Sequence, residues 1–277
     1  MRAASCEQTR LRELHVAGLP MGLLISPVER GLLDLFRHDE ALAKLLCITS
    51  ESHALNIDAA VDIANDTAIG HTHPSQHTAA LQKGFAHLAL ALRQQGLVPG
   101  WRNECFSVRK PDGSVWFALE RSCFRPLGLI SHAVHAHAWC ENGDTWLGRR
   151  AQHKATDPGL LDNLAAGGLS HGEEPFECMV RELWEEAGVP ETLARQIQAL
   201  PATILSERCE AEGMHREWLH CYTLNLPDSF TPANRDGEVS GFTRCNISEL
   251  QALTASDAMT RDAALCANLA LRCRLAA

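Results

Sequence analysis

Apolar side chains recur at helical spacing in the first hundred residues of this 277-residue chain. Pro27 is suited to the first turn of a helix, and the apolar positions that follow it continue to Phe36. A second apolar stripe runs from Ala79 to Gln95, and Gly96 after it is a stop signal. These patterns predict two amphipathic helices in a part of the chain that is helical and rich in turns.

The pattern changes to strand-like alternation beyond the first hundred residues. Residues 105–108 and 115–120 lie on either side of a Pro-Asp-Gly-Ser turn, and this arrangement predicts a hairpin. A break in the pattern follows at residues 125–128, and we place a domain boundary there. The boundary divides the chain into an N-terminal domain, residues 1–126, and a C-terminal domain, residues 127–277.

Strands and helices are mixed in the C-terminal domain. Residues 132–140 and 145–150 flank Asn142-Gly143, which is a strong hairpin signal. Further strands are predicted at residues 202–206, 217–226 and 239–245, and a helical region begins at Asn246. This order predicts an α/β fold with a mixed sheet between helices, preceded by a smaller α+β domain.

The most informative stretch is Gly167–Val189, which contains an acidic helix. Glu182, Glu185 and Glu186 occupy helical positions i, i+3 and i+4, so their carboxylates share one face. Gly188 is suited to end this helix. Carboxylates this close repel each other, and oxygen ligands favour Mg²⁺ or Mn²⁺ over Zn²⁺. The stretch predicts a magnesium site, with a solvated acidic helix face as the alternative.

Composition narrows the classes of partner. With 45% hydrophobic and 21% charged residues the chain can bury a core. A net charge of -9 argues against nucleic acid as a partner, since phosphate backbones call for basic surfaces. The eleven cysteines contain no CxxC pair, which indicates reduced thiols and a cytoplasmic location. No run of about 18 apolar residues occurs, so we expect no membrane span.

The spacing within Gly167–Val189 resembles the Nudix box, the loop–helix–loop signature of hydrolases that cleave diphosphates linked to another moiety. The positions that match are Gly167, Glu173, Arg181, Glu182, Leu183, Glu185, Glu186, Gly188 and Val189. Chance agreement at so many specified positions is improbable. The resemblance implies a Nudix α/β/α sandwich with a mixed sheet, and a Mg²⁺-dependent hydrolase in which Mn²⁺ could replace Mg²⁺.

The same resemblance implies a set of metal ligands. Glu185 and Glu186 would bind the metal, and the backbone carbonyl of Ala166 would be a further ligand. Glu182 would bind a second metal or help to deprotonate the attacking water. Glu238 is the best candidate for the extra acid that the family often supplies from outside the box, with a surface turn acid as the alternative.

Other box positions have structural roles in the resemblance. Arg181 and Glu173 would form an ion pair that clamps the loop to the helix, while Gly167 allows the tight loop and Gly188 ends the helix. The residues predicted to be catalytic are Arg181, Glu182, Glu185 and Glu186. These roles predict that the loop and the helix form one rigid unit.

Five residues outside the box are candidates for substrate binding. Arg149, Arg150 and Lys154 could neutralise phosphates, with exposed basic side chains as the equal alternative. Alternation along the strand sends His135 and His137 to the same face, where they could line a cleft or be structural histidines. Asp162 lies just before the metal loop and could hold that loop or a substrate group.

A histidine-rich segment in the N-terminal domain permits two interpretations. His71, His73 and His77 resemble part of a zinc site. No fourth ligand lies at a sensible spacing, so the pattern favours a solvated loop.

A longer resemblance narrows the family to one branch, the thiamine-pyrophosphokinase-related Nudix proteins of fungi, plants and bacteria. The segments that carry it, besides the box, are residues 101–104, 128–135, 154–162 and 236–239. The resemblance implies an extra N-terminal domain and a small-molecule diphosphate substrate, with thiamine diphosphate or a damaged analogue favoured. The alternatives are a nucleoside-diphosphate-linked substrate, such as ADP-ribose or a dinucleotide, and a non-catalytic Nudix-like binding module. Homodimer formation and the role of the N-terminal domain stay open.

Overall fold

The computed structural model describes residues 11–60 and 74–276. His71 and His73 of the histidine-rich segment lie outside the described residues. The chain divides into two compact units. The N-terminal unit comprises Met1–Ser131, Ser170–Gly172 and Glu207–Arg216, and the C-terminal unit comprises His132–Leu169, Glu173–Ser206 and Glu217–Ala277. Among the described residues, no helix combines the length and the apolar character needed to cross a membrane.

The N-terminal unit contains a four-stranded sheet, a hairpin and several helices. In chain order the elements are β1 (Leu11–Val16), β2 (Leu19–Ile25), α1 (Ser26–His38), α2 (Glu40–Ala43), β3 (Leu46–Ser50), β4 (Ala54–Ala59), α3 (Pro74–Gln94), β5 (Cys105–Arg109), β6 (Val115–Glu120) and α4 (Phe124–Leu127). The sheet has the order β2-β1-β4-β3, in which β1 and β4 are parallel and the other pairs are antiparallel. Strands β5 and β6 form an antiparallel hairpin.

Both predicted amphipathic helices and the predicted hairpin are confirmed in this unit. The apolar stripe of α3 is fully buried at Leu81, Phe85, Leu88 and Leu92. The description of this part as helical was incomplete, because it missed the four strands. Strand β2 illustrates the reason, since adjacent residues on it are buried and the alternation that signals a strand is absent.

The C-terminal unit is built around a larger sheet. The elements from residue 131 onward are β7 (Ser131–Cys140), β8 (Thr145–Arg150), β9 (Leu161–Asp162), β10 (Ala165–Gly168), α5 (Pro175–Ala187), α6 (Glu191–Ala194), β11 (Gln198–Ala199), β12 (Ile204–Glu210), β13 (Gly213–Leu226), β14 (Val239–Cys245), α7 (Ile247–Thr254) and α8 (Arg261–Ala276). Of these, residue 131 of β7, residues 207–210 of β12 and residues 213–216 of β13 are counted with the N-terminal unit. The central strand order is β11-β13-β7-β8-β14. Strand β10 pairs with β7, β9 with β8, and β12 with β13.

Alternation along β7 explains the layers of this unit. Val134 and Ala136 point to the face covered by α5 and pack with Met179 and Leu183. Residues of the opposite parity pack on the other face, where Trp139 meets the small side chains of α8. The sheet therefore lies between α5 and α8, which confirms the predicted α/β/α arrangement.

The α8 face of β7 also holds a buried histidine. His137 is fully buried, its Nε2 lies 3.3 Å from Thr145 Oγ1, and its ring meets the ring of Trp139 edge-on at 4.5 Å. Its Nδ1 has no hydrogen-bond partner among the described residues. Burial, aided by the charge of Arg274, lowers the pKa of His137 to about 3. The imidazole is therefore neutral in the folded protein at neutral pH.

This burial predicts a pH dependence of stability. The unfolded histidine takes up a proton below about pH 6.5 and the folded one does not, so stability is lost as pH falls from that value towards 3. The loss approaches about 1.4 kcal/mol per pH unit. We expect His137→Leu to show a shallower pH dependence than the parent in urea unfolding between these values. The exposed His38→Leu is the control, and equal slopes for the parent and His137→Leu would contradict the expectation.

Candidate active site

Helix α5 is the platform of the site, and its two ends have clear local causes. Pro175 occupies the first turn, where a missing N–H costs nothing. Gly188 follows the helix in the left-handed conformation, with φ of +65°. A Cβ at Gly188 would lie 2.7 Å from the backbone oxygen of Ala233, so the position requires glycine for its conformation and for its space.

Arg181 holds three carboxylates at the start of the site. Its Nε and Nη2 donate to the two oxygens of Glu173 at 2.9 and 3.1 Å, which gives a bidentate pair. Its Nη1 donates to Glu182 Oε1 and to Glu185 Oε2, each at 2.8 Å. The hydrogen bonds that Arg181 donates to Glu173, together with the negative charge of the nearby acids, raise the pKa of Arg181, which stays charged. The structure therefore contains the ion pair that links the loop to the helix.

Glu182 packs directly against the loop strand β10. A Cβ at Gly167 would collide with the carboxyl group of Glu182, so only glycine lets the strand approach the helix this closely. Glu182 is 9% exposed. Burial raises its pKa, as do the charges of Glu185 and Glu173, while Arg181 opposes the shift. A carboxylate with a raised pKa is a better proton acceptor than an ordinary one.

Glu186 lies on the same helix but has different partners. Its Oε2 accepts a hydrogen bond of 2.8 Å from the backbone N–H of Ala166. The side chain is 6% exposed. Burial and the negative charge of Glu182 raise the pKa of Glu186 above its ordinary value. An anionic Glu186 therefore needs a positive partner more than the other two helix acids do.

The segment Ala233–Glu238, which we call the acid turn, brings two more carboxylates to Glu186. Glu186, Asp236 and Glu238 each offer one oxygen, and the three oxygens lie within 4.8 Å of one another. Gly237 has a φ of +89°, and Asp236 Oδ1 accepts the backbone N–H of Glu238 at 2.8 Å, which folds the turn. Three oxygen donors at this separation fit a hard divalent cation such as Mg²⁺ or Mn²⁺.

The family comparison agrees with this geometry. A family model described as the NUDIX domain matches residues 131–264. The chain carries a Nudix domain. The matched residues include α5, the glycine loop ahead of it and the acid turn, so the Nudix domain contains every carboxylate described above.

Two relatives of this Nudix domain are chloroplastic proteins of Arabidopsis thaliana. Nudix hydrolase 24 is 33% identical over 193 residues, which cover 68% of this chain and 52% of that protein. Nudix hydrolase 20 is 35% identical over 164 residues, which cover 58% of this chain and 44% of that protein. The chain spans about half the length of these relatives.

Among solved structures, DR0079 from Deinococcus radiodurans is similar, with 21% sequence identity and a TM-score of 0.48. The alignment covers 60% of this chain and 98% of that chain.

The basic residues beside the Nudix box differ in their partners. Lys154 Nζ forms an ion pair with Glu238, so its charge lies at the acid turn. Arg150 donates to Asp162 Oδ2 at 2.9 Å and also to the backbone oxygen of Thr156. Arg149 donates to a backbone carbonyl in the following loop. Lys154 is therefore the basic side chain placed at the carboxylate cluster, while the two arginines brace the loop after β8.

Asp162 and His135 form part of a buried polar group. Asp162 is 9% exposed, and its Oδ1 also accepts the backbone N–H of Asn163 at 2.8 Å. His135 is 5% exposed, and its Nδ1 lies 3.1 Å from Asn163 Oδ1. His135 is also the register partner of Ala166, so its strand pairs with β10 beside that residue. This placement favours the structural alternative for His135, and substrate contact by either residue stays a prediction.

The structure thus sorts the candidates from the sequence into two groups. Arg181 binds Glu182 and Glu185, whereas Glu186 joins the acid turn. Asp236 is the residue that the sequence analysis missed, although it lies two positions before Glu238 in the same turn. The only signal for it is the Asp-Gly-Glu order, because an acid that precedes a glycine in a turn can share a site with the acid that follows.

The contact between Gly167 and Glu182 predicts a stability effect. Gly167→Ala places a methyl group against a buried carboxyl group, and overpacking of this kind costs about 1–3 kcal/mol. Gly241→Ala is the matched control, because nothing lies within 4 Å of a Cβ at that strand position. We expect urea unfolding to show a clear loss for Gly167→Ala only. Equal stabilities for the two variants would show that the loop has room at Gly167.

Proposed function

We propose that this protein is a divalent-metal-dependent hydrolase of a small organic diphosphate, with thiamine diphosphate or a damaged analogue as the favoured substrate. The observation that carries the proposal is the cluster of Glu186, Asp236 and Glu238 beside the helix of the Nudix box. Mutually close carboxylates are a poor arrangement for a protein without a cation, and a good one for a protein that binds a metal ion.

Glu186, Asp236 and Glu238 would hold the metal, with the backbone carbonyl of Ala166 as the further ligand implied by the family. Mg²⁺ or Mn²⁺ bound there would neutralise phosphate charge and lower the pKa of a bound water. The hydrogen bond from the N–H of Ala166 to Glu186 supports this assignment, because it ties the loop backbone to the helix ligand. The carbonyl oxygen of Ala166 is therefore carried by a residue whose backbone is hydrogen-bonded to Glu186.

Arg181 prepares the remaining helix acids for proton transfer. It holds Glu182 and Glu185 by one nitrogen, so both carboxylates have a defined direction. The raised pKa of Glu182, caused by burial, suits it to accept a proton from the attacking water. We propose Glu182 as the base, and Glu185 as a second ligand position beside it. In the reaction water adds to phosphorus, the P–O–P bridge breaks, and two phosphate-containing products leave.

Lys154 is the residue we assign to the substrate phosphates. Its ammonium group already lies at Glu238, on the edge of the carboxylate cluster. A diphosphate bound to the metal would bring negative charge to the same place, where an ammonium group stabilises it. Arg149 and Arg150 have partners in the loop after β8, so their contribution is to the shape of that loop.

The choice of thiamine-type substrates depends on the resemblance outside the box. Residues 101–104, 128–135, 154–162 and 236–239 resemble the thiamine-pyrophosphokinase-related branch. The two Arabidopsis relatives are named only as Nudix hydrolases, and their names indicate no substrate. A nucleoside-diphosphate-linked compound is therefore the competing substrate class. The cytoplasmic location, the homodimer and the absence of nucleic-acid and membrane partners stay predictions.

Glu186→Gln tests the reaction class. The variant keeps the size of the side chain but removes the charge, so metal-dependent hydrolysis should fall about 100-fold or more. The stability measured with a chelator should not fall, because burial disfavours the charged form of Glu186 and the glutamine keeps an oxygen that can accept the N–H of Ala166. Glu177→Gln, on the exposed part of the same helix, is the matched control and should keep full activity. Activity of Glu186→Gln within a few-fold of the parent would contradict the assignment of Glu186 to the metal site, whereas a parent without activity would favour a non-catalytic binding module.

A substrate panel tests the leaving group. We expect thiamine diphosphate or oxythiamine diphosphate to give kcat/KM about tenfold or more above ADP-ribose, with release of phosphate or of the organic monophosphate products measured in the presence of Mg²⁺ and then Mn²⁺. The control is the same panel with Glu186→Gln, which removes contaminating phosphatases from consideration. Strong turnover of ADP-ribose or dinucleotides with none of the thiamine compounds would replace the favoured substrate by the competing class.

A further inference from the structure

A large aromatic side chain lies exposed near the C-terminal end of α5. Trp184 is 45% exposed, whereas its neighbour Leu183 is fully buried. The guanidinium of Arg235 lies over the Trp184 ring, with its carbon 3.8 Å from the ring centroid. Core packing does not account for Trp184, and the role of the pair has to be sought at the surface.

Arg235 belongs to the acid turn, which is fastened to the last turn of α5. The backbone N–H of Arg235 donates to the carbonyl of Glu185 at 2.9 Å, and that of Ala233 donates to the carbonyl of Ala187 at 3.0 Å. These carbonyls belong to the last four of a helix, which lack partners inside the helix. The acid turn therefore begins as a cap on α5, and the stack on Trp184 lies beside this cap.

Electrostatic repulsion opposes that attachment. Asp236 and Glu238 follow Arg235 directly and bring their carboxylates to Glu186. Glu186 is held by the helix, and Lys154 forms an ion pair with Glu238, so the negative charge that is left to repel Glu186 is mainly that of Asp236. Asn234 stabilises the turn internally, because its side chain accepts the N–H groups of Asp236 and Gly237, but it makes no hydrogen bond to the helix among those described. The stack of Arg235 on Trp184 adds a side-chain contact between the turn and the helix to the two backbone hydrogen bonds.

We propose that the stack of Arg235 on Trp184 is a positioning device that sets the affinity for the divalent cation. It holds the acid turn on α5 so that Asp236 and Glu238 stay within reach of Glu186. The inference rests on the proposed function, because it assumes that this cluster binds the metal. Trp184 and Arg235 act through the ligands and do not themselves touch the metal.

Calorimetric titration with Mn²⁺, and then with Mg²⁺, tests the proposal without a substrate. A cation–π pair at an exposed site predicts that Trp184→Leu and Arg235→Gln each raise the metal Kd about twofold to fivefold. The double variant should be no weaker than the weaker single variant, because either change removes the same interaction. Trp184→Phe keeps an aromatic ring and should keep most of the affinity.

Two further measurements separate positioning from a general loss of structure. In the presence of a chelator, the amide of Arg235 should exchange faster in both single variants, while thermal midpoints stay close to that of the parent. In assays, the variants should be slow at limiting metal and should regain the parental kcat at saturating metal. A merely structural role would lower kcat at every metal concentration.

Matched controls exist in both units. Arg93 lies over Trp101 in the N-terminal unit, 4.7 Å from the ring centroid, so Trp101→Leu removes the same kind of pair away from the carboxylates. Arg195→Gln removes an exposed arginine that pairs with Glu177 on α5 but has no contact with the acid turn among those described. Both controls should leave the metal Kd unchanged.

Three results would overturn the proposal. If the parent binds no divalent cation, this inference and the metal site of the proposed function both fail. If the parent binds metal and the Trp184 and Arg235 variants bind it equally well, the inference fails alone, and the Glu186→Gln result still decides the proposed function. If the substrate KM rises while the metal Kd is unchanged, Trp184 contacts the substrate and does not position the acid turn.

Discussion

The central constraint in this protein is that a small volume contains many carboxylates and few cations. Arg181 is bonded to Glu173, Glu182 and Glu185, so one guanidinium organises the loop and two helix acids. That arrangement leaves Glu186 to face the acid turn, where further carboxylates gather. The loop, the helix and the turn accommodate this negative charge in three ways. Glycine lets the loop approach the helix closely, backbone N–H groups donate hydrogen bonds to carboxylates, and the remaining negative charge is suited to a cation.

Much of the helix half of the site is predictable because helical geometry is local. Spacing alone places Glu182, Glu185 and Glu186 on one face, and it brings Arg181 within reach of Glu185. The turn half is different. Whether Asp236 reaches Glu186 depends on the positive φ of Gly237 and on the cap that the acid turn forms on α5, and neither follows from the order of side chains. Contacts between segments this far apart in sequence leave no local pattern.

The sheet shows the same limit in another form. Alternation places His135 and His137 of β7 on one face, but it does not tell which of two covered faces they meet. In the structure that face is covered by α8. His137 is buried there, and His135 is buried beside it, opposite Ala166 of β10 in the strand register. In the N-terminal unit, strand β2 has no alternation to detect, because adjacent apolar residues are buried together. Periodicity is therefore informative where one side of an element meets water, and it fails where both sides are covered.

The ion pair between Lys154 and Glu238 has a thermodynamic consequence. A cation that takes the carboxylate of Glu238 competes with an ammonium group that is bonded there. The observed free energy of cation binding is then the free energy of binding to Glu238 minus the free energy of the ion pair between Glu238 and Lys154. In that exchange Lys154 loses one anionic partner, and a phosphate oxygen can replace it. Two ligands of opposite charge are thereby linked through one side chain, and each would strengthen the binding of the other without any rearrangement of the sheet or the helices.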